Sequence, residues 1–397
     1  MSEHRNEALD RLGIPRNNRI ILSLDGGGIR GILTLQLLKK MEEVAGYPLH
    51  RFVDMVAGTS TGGIMAGLIA LGYSAEEIEK KYVELVTEVF LKRGALANRF
   101  LNPPLYSKAN YRRMLKEIIE DKTLQDTVIA TETDIMITAK DLAASEETFF
   151  SCFSRSDGYN GTYKNVLLRA VMEATMSAPT YFTPLERFVD GGTTTYNNPT
   201  LAAVMEAVGY GGKGKYSSDQ LTVFSFGTGT SVKFVKPEET GNPKGMDVAF
   251  WLNYIMDEAS QDAADMQMDV LRSGLISGLD LRRFQLSLDQ NSIRRLPNRR
   301  INRVKGIKAK WMWDLSNEEL DGIGLDEVGK FGLMQEIGEA MAEYVCPTHD
   351  VSREKGNWFR KDLINGKRRD ELVSTFGDIE RIKTQMSDPD WLDAFPE

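Results

Sequence analysis

Residues 20–31 read IILSLDGGGIRG, and Gly26 to Gly31 fit the pattern G-x-G-x-x-G. Ile20 to Leu24 is a short apolar run interrupted only by Ser23, as expected of a strand buried on both faces. After the glycines, Ile32, Leu35, Leu38, Met41 and Ala45 recur at helical spacing until Gly46 and Pro48 stop the helix. RFVDMVAG (51–58) supplies a second strand, so the chain opens as a β-α-β unit with parallel strands.

A glycine loop in this position suits a dinucleotide, but the second strand argues against one. A ribose-binding unit needs an acidic residue at the end of that strand. Here the strand runs instead into AGTSTGG (57–63), and Asp54, the first acidic candidate, lies inside it. Asp25 would also set a negative charge beside the pyrophosphate. No cofactor is expected.

Gly58-Thr59-Ser60-Thr61-Gly62 is a G-x-S-x-G pentapeptide between a buried strand and an apolar helix, the context of a nucleophile elbow. Such a turn aims Ser60 Oγ at a helix N-terminus, where partial positive charge stabilises developing negative charge. The glycines upstream then acquire a use. Acyl transfer creates an oxyanion, and amides can reach it only from a loop without obstructing side chains. Gly26, Gly27 and Gly28 are the candidate oxyanion loop, with Arg30 as added positive charge.

Serine needs a base. The chain has three histidines. His4 lies in a charged leader, and His50 precedes the elbow strand, roughly 25 Å from Ser60 at about 3.3 Å per residue. His349, in CPTHD, leaves open a Ser60-Asp190-His349 triad in α/β-hydrolase order. The better candidate is Asp190 acting directly: it ends the strand-like LERFVD before Gly191-Gly192, which should put it at the carboxyl edge of the sheet with Ser60. Partial burial would raise its pKa toward neutrality.

DGGGIRG (25–31), GTSTG (58–62), SAPTYFTP (177–184) and VDGG (189–192) stand in the order seen in the patatin-like phospholipases, and residues 18 to 230 resemble that family. The resemblance implies a Ser-Asp dyad at Ser60 and Asp190, an oxyanion loop at Gly26, Gly27 and Gly28 with the family's arginine at Arg30, and no metal. It implies phospholipase A-type cleavage of glycerophospholipid acyl esters at a membrane surface through an acyl-enzyme. The chain is also similar to bacterial members of anti-phage defence that a cyclic dinucleotide switches on, which would add that nucleotide as a partner.

The fold expected is α/β, a layered patatin-like domain with a mainly parallel sheet flanked by helices. Residues 1–17 read as a leader, 18–245 as the catalytic domain and 246–397 as a mainly helical portion packed upon it. At 397 residues and net charge −8, bulk nucleic acid is a poor partner. Two cysteines form no disulfide framework. The N-terminus lacks the apolar core of a secretory signal, and no apolar stretch approaches the roughly 20 residues of a membrane span. A cytoplasmic protein acting peripherally on membrane is expected; the rival readings are a soluble carboxylesterase and a non-catalytic lipid- or nucleotide-binding protein.

Three further stretches stand out. RRLPNRRINRVKGIKAK (294–310) carries eight basic residues and no acid, and suits anionic headgroups, a nucleotide or solvent. Residues 87–106 suit a core segment or a lid. The Met-rich stretch 256–272 has helical spacing and suits core, or an acyl-chain wall.

Overall fold

The computed structural model describes residues 3–90, 104–153, 163–211, 214–230, 260–302, 304–321, 323–346, 384 and 386–390. The chain runs α1 (Glu3–Leu12), β1 (Arg19–Leu24), α2 (Gly31–Ala45), β2 (Met55–Thr59), α3 (Thr61–Ala70), α4 (Ala75–Val89), α5 (Ala109–Ile119), α6 (Leu124–Thr131), β3 (Asp134–Asp141) and β4 (Glu146–Ser151). It continues α7 (Leu168–Thr175), β5 (Phe188–Asp190), α8 (Thr200–Tyr210), β6 (Leu221–Phe226), α9 (Ser260–Arg272), β7 (Asp280–Phe284), α10 (Gln290–Ile293), β8 (Arg300–Ile301), β9 (Lys310–Trp311), α11 (Asn317–Asp321) and α12 (Phe331–Val345).

Among the described residues seven strands form one sheet in the order β4-β3-β2-β1-β6-β7, with β5 also paired to β3. The pairs β1–β2, β1–β6, β2–β3 and β6–β7 are parallel; β4 and β5 run antiparallel to β3. The fold is therefore the expected α/β arrangement, a mainly parallel sheet flanked by helices. Alternation along β1 shows why its residues are apolar on both sides: Ile20, Leu22 and Leu24 enter one core and Ile21 the other. The first core lies against α2, α3 and α12, the second against α8 and α9.

Local signals stop and start the helices as read. Gly46 takes the left-handed cap of α2 at φ 77°, and Ser74 with Glu77 forms a reciprocal capping box on α4.

Residues 1–17, charged enough to read as a leader, contain α1, whose Ala8, Leu9 and Leu12 are buried against α2. Its Arg5 reaches Asp54 at 2.7 Å, and Arg19 reaches the same carboxylate at 2.6 Å. Charge density hid a one-sided apolar stripe. Within residues 246–397, expected to be mainly helical, β7 extends the sheet, and its Arg282 and Arg283 are buried. The boundary placed near residue 245 lies outside the described residues, as does most of the stretch 87–106. Among the described residues, no helix is long and apolar enough to cross a membrane.

Candidate active site

In a parallel sheet the carboxyl ends of the strands collect loops at one edge. β1 and β2 are neighbours, so the glycine loop after β1 and the elbow after β2 emerge side by side. Ser60 sits at the tip of the elbow with φ 53° and ψ −124°, a strained backbone for a residue bearing a side chain. The neighbours must be small. A Cβ on Gly58 would stand 2.2 Å from the Gly62 carbonyl oxygen, and one on Gly62 would stand 2.2 Å from that of Leu24.

Asp190 arrives differently from the sequence expectation, which treated its strand as one more strand ending at the carboxyl edge. The three-residue β5 runs antiparallel and enters from that edge, pairing Asp190 with Ala139. Thr59 pairs with the adjoining Thr138, which brings Asp190 level with the elbow. Ser60 Oγ donates to Asp190 Oδ2 at 2.6 Å. Gly192 N–H donates to Asp190 Oδ1 at 2.7 Å, and the Asp190 N–H donates to the Ser177 carbonyl at 3.1 Å. Both side-chain oxygens are thus engaged and the carboxylate is aimed.

Burial pushes the Asp190 carboxyl up to about 6, against the hydrogen bonds from Ser60 and Gly192, which pull it down. Such a carboxylate is ionised at neutral pH yet basic enough to share a proton with serine. Ser60 is oriented from its other side as well: its N–H donates to Thr175 Oγ1 at 2.7 Å, and Met176 Sδ lies 3.6 Å from its Oγ.

The glycine loop is held open by its surroundings. Gly26 N–H donates to the Asn197 carbonyl at 3.2 Å, so this amide is engaged within the protein. Among the described residues the amides of Gly27 and Gly28 have no recorded acceptor. The Gly28 carbonyl accepts the Tyr82 hydroxyl, and Ile29 N–H donates to the Leu325 carbonyl at 2.9 Å. At φ 55°, Gly28 packs so closely on that carbonyl that a Cβ there would lie 2.2 Å from it. Arg30 lines the same cavity as Ser60 and Asp190.

That cavity, about 120 Å³, is bounded by the dyad and glycine loop on its polar side. Its apolar wall is built largely from Phe90, Met176, Tyr181 and Phe182. Phe90, Tyr106, Tyr181 and Phe182 pack as an aromatic group with ring centroids 5.3 to 6.3 Å apart. The motif SAPTYFTP (177–184) delivers two of these rings, Tyr181 and Phe182. The Met-rich segment contributes through Ser260, Gln261 and Ala264 at the start of α9, whereas Met268 packs in the second core.

Sequence reading also missed Arg283, on β7. Its guanidinium holds Asp25, the residue before the glycines, at 2.8 and 2.5 Å, and also donates to Ser225 Oγ at 2.8 Å. Both partners are buried. No motif marks Arg283, because its relation to Asp25 exists only once β7 joins β6.

Of the histidines, His4 shares a hydrogen bond with the Tyr47 hydroxyl at 3.1 Å, and His50 lies in the turn before β2, at the amino end of the sheet. His349 lies outside the described residues.

Residues 22–204 match the family model described as patatin-like phospholipase. That part of the chain carries a patatin-like phospholipase domain. Among curated relatives, the patatin-like region is 32% identical over 165 residues to a cUMP-AMP-activated phospholipase of Escherichia coli, covering 41% of this chain and 48% of the relative. It is 31% identical over 188 residues to a cGAMP-activated phospholipase of Escherichia coli (strain TW11681), covering 43% of this chain and 51% of the relative. The alignments thus span about half the length of these relatives. Among solved structures, VipD from Legionella pneumophila is similar at a TM-score of 0.33 and 12% identity, over 62% of this chain and 56% of that one.

Proposed function

We propose that this protein is a phospholipase A-type lipid acyl hydrolase that acts from the cytoplasm on fatty-acyl esters of glycerophospholipids at the membrane surface. The observation that carries the reading is the 2.6 Å contact between Ser60 Oγ and Asp190 Oδ2, inside a cavity that also contains the glycine loop.

In the first step Asp190 Oδ2 takes the hydroxyl proton as Ser60 Oγ bonds to the ester carbonyl carbon. The carbonyl π electrons move onto oxygen, and the Gly27 and Gly28 amides, with the α2 N-terminus behind them and Arg30 nearby, stabilise that oxyanion. Collapse expels the lysophospholipid alkoxide, which takes the proton from Asp190 and leaves an acyl-Ser60. Water then gives a proton to Asp190, attacks the acyl carbon and releases the fatty acid, and the proton returns to Ser60. The aromatic wall of Phe90, Tyr181 and Phe182 would take the first carbons of the acyl chain.

We further take a cyclic dinucleotide as the activating ligand, because the two Escherichia coli relatives bear names of that kind. A role in anti-phage defence rests on the same activation.

Lipid products released from mixed vesicles by wild type, Ser60→Ala and Asp190→Asn test the chemistry. Free fatty acid from wild type alone supports it; equal release by all three ends it. Repeating the wild-type assay with individual cyclic dinucleotides tests activation, and a rate unmoved by any of them removes that part.

A further inference from the structure

The basic stretch 294–310 is not a solvated loop. Leu296, Ile301, Ile307 and Met312 anchor it in the main core, and β8 pairs with β9 as a small antiparallel ribbon. The register places Arg300 opposite Trp311, while Ile301 and Lys310 form the next pair. Side chains alternate across a ribbon, so the buried Ile301 marks the inner face and Arg300 with Trp311 the outer. Trp311 is 51% exposed and Trp313 41% exposed. Trp313 is fixed by its indole N–H, which donates to the Leu296 carbonyl at 2.9 Å, and Arg294 Nε donates to the Trp313 carbonyl at 3.3 Å.

The cations of this segment divide into two groups. Arg299 is spent on Glu336, Glu339 and Glu343, Lys305 on Glu327, and Lys310 on Glu319. Arg294, Arg295, Arg300 and Lys308 are exposed, and among the described residues none has a carboxylate within ion-pairing distance. Arg300, opposite Trp311, and Arg294, bonded to the Trp313 carbonyl, thus set positive charge beside two half-exposed indoles on a chain of net charge −8. Indole rings favour the headgroup level of a bilayer, and cations there gain from anionic lipid.

One ion pair links the patch to the turn beside the candidate active site. Lys305 Nζ lies 3.2 Å from Glu327, and Glu327 N–H closes a turn onto the Gly324 carbonyl at 3.4 Å. Leu325, within that turn, lines the cavity and accepts the Ile29 N–H of the glycine loop.

We propose that residues 294–302 and 304–313 form a docking surface for anionic lipid bilayers, with Trp311 and Trp313 at headgroup depth and Arg294, Arg295, Arg300 and Lys308 against the anionic headgroups. The inference deepens the lipid-hydrolase reading and takes its purpose from it, but docking is measurable without turnover.

The test uses full-length protein carrying Ser60→Ala, so that vesicles stay intact, and co-sedimentation with phosphatidylcholine vesicles with or without phosphatidylglycerol. Binding is expected only with phosphatidylglycerol, and it should fall steeply with salt. Removing each cation should weaken partition about fivefold, so Arg300→Gln with Lys308→Gln should lose about 25-fold. Trp311→Ala should lose binding even at low salt. Equal partition into neutral and anionic vesicles would overturn the proposal. So would a variant whose binding is unchanged, or one whose thermal midpoint and fluorophosphonate labelling in the Ser60 background fall with it. If the variants instead lose a cyclic dinucleotide or an RNA oligonucleotide while keeping vesicles, the surface is a nucleotide's. Anionic docking by a wild type that releases no fatty acid would retain this inference and sink the hydrolase reading alone.

Discussion

Arg283 at the end of β7 grips both carboxylate oxygens of Asp25 at the end of β1, across the intervening β6. Asp25 is the last residue before the glycine loop, and its own N–H donates to the Phe226 carbonyl at 3.0 Å. Burial pushes the Asp25 carboxyl upward, and the guanidinium opposes that push. The pair therefore pins the root of the loop, and among the described residues Arg283 is the cation ion-paired to Asp25. Arg283→Gln should cost about 3–5 kcal/mol, since it strands a buried carboxylate. Urea unfolding reads this directly; a midpoint equal to wild type would show that the pair holds nothing.

Asp190 must be ionised to accept the Ser60 proton, and its carboxyl is raised to about 6. kcat/KM on a soluble ester should climb roughly tenfold per pH unit below that value and level off above it. A limb near the ordinary carboxylate value, around 4, would mean that another group sets the rate.

The same shift has a stability consequence with a definite sign. The folded value of about 6 exceeds the ordinary aspartate value of 3.8, so the folded state holds the proton more tightly. Its contribution is complete below about 4 and is lost as pH rises through about 6, at a cost of ~3 kcal/mol by neutral pH. Asp190→Asn removes an ionisable group there, so its thermal midpoint should exceed that of wild type at pH 8. The gap should close toward pH 4. A variant less stable at pH 8 would contradict the assignment.

Two glycines make a matched pair. Gly58→Ala drives a methyl into the backbone of Gly62 and Gly63, where no flexible side chain can yield. It should destabilise by at least ~2 kcal/mol and abolish fluorophosphonate labelling of Ser60. Gly209→Ala, in α8 with nothing within 4 Å of the added Cβ, should stabilise by ~0.5–1 kcal/mol and leave labelling intact. Similar effects at the two sites would deny the elbow its steric basis.

The opening β-α-β unit, the elbow and the glycine loop could be read from residues 20–63 because each is local: an apolar run, a helical period, small residues where the chain turns sharply. Asp190 was legible as a candidate for the same reason, lying between a strand-like run and two glycines. Its place at the carboxyl edge favoured Asp190 over His349, and the resemblance strengthened that choice. What the tertiary structure decided was adjacency. The antiparallel entry of β5 puts the Asp190 carboxylate beside Ser60 across 130 residues. Parallel pairing of β7 to β6 brings Arg283 to Asp25 across 258. Packing of the turn at Leu325 against Gly28 closes one side of the cavity. Local periodicity carries the energetics of a few consecutive residues, whereas such contacts exist only after the sheet order is set, and nothing in the spacing of the chain encodes that order.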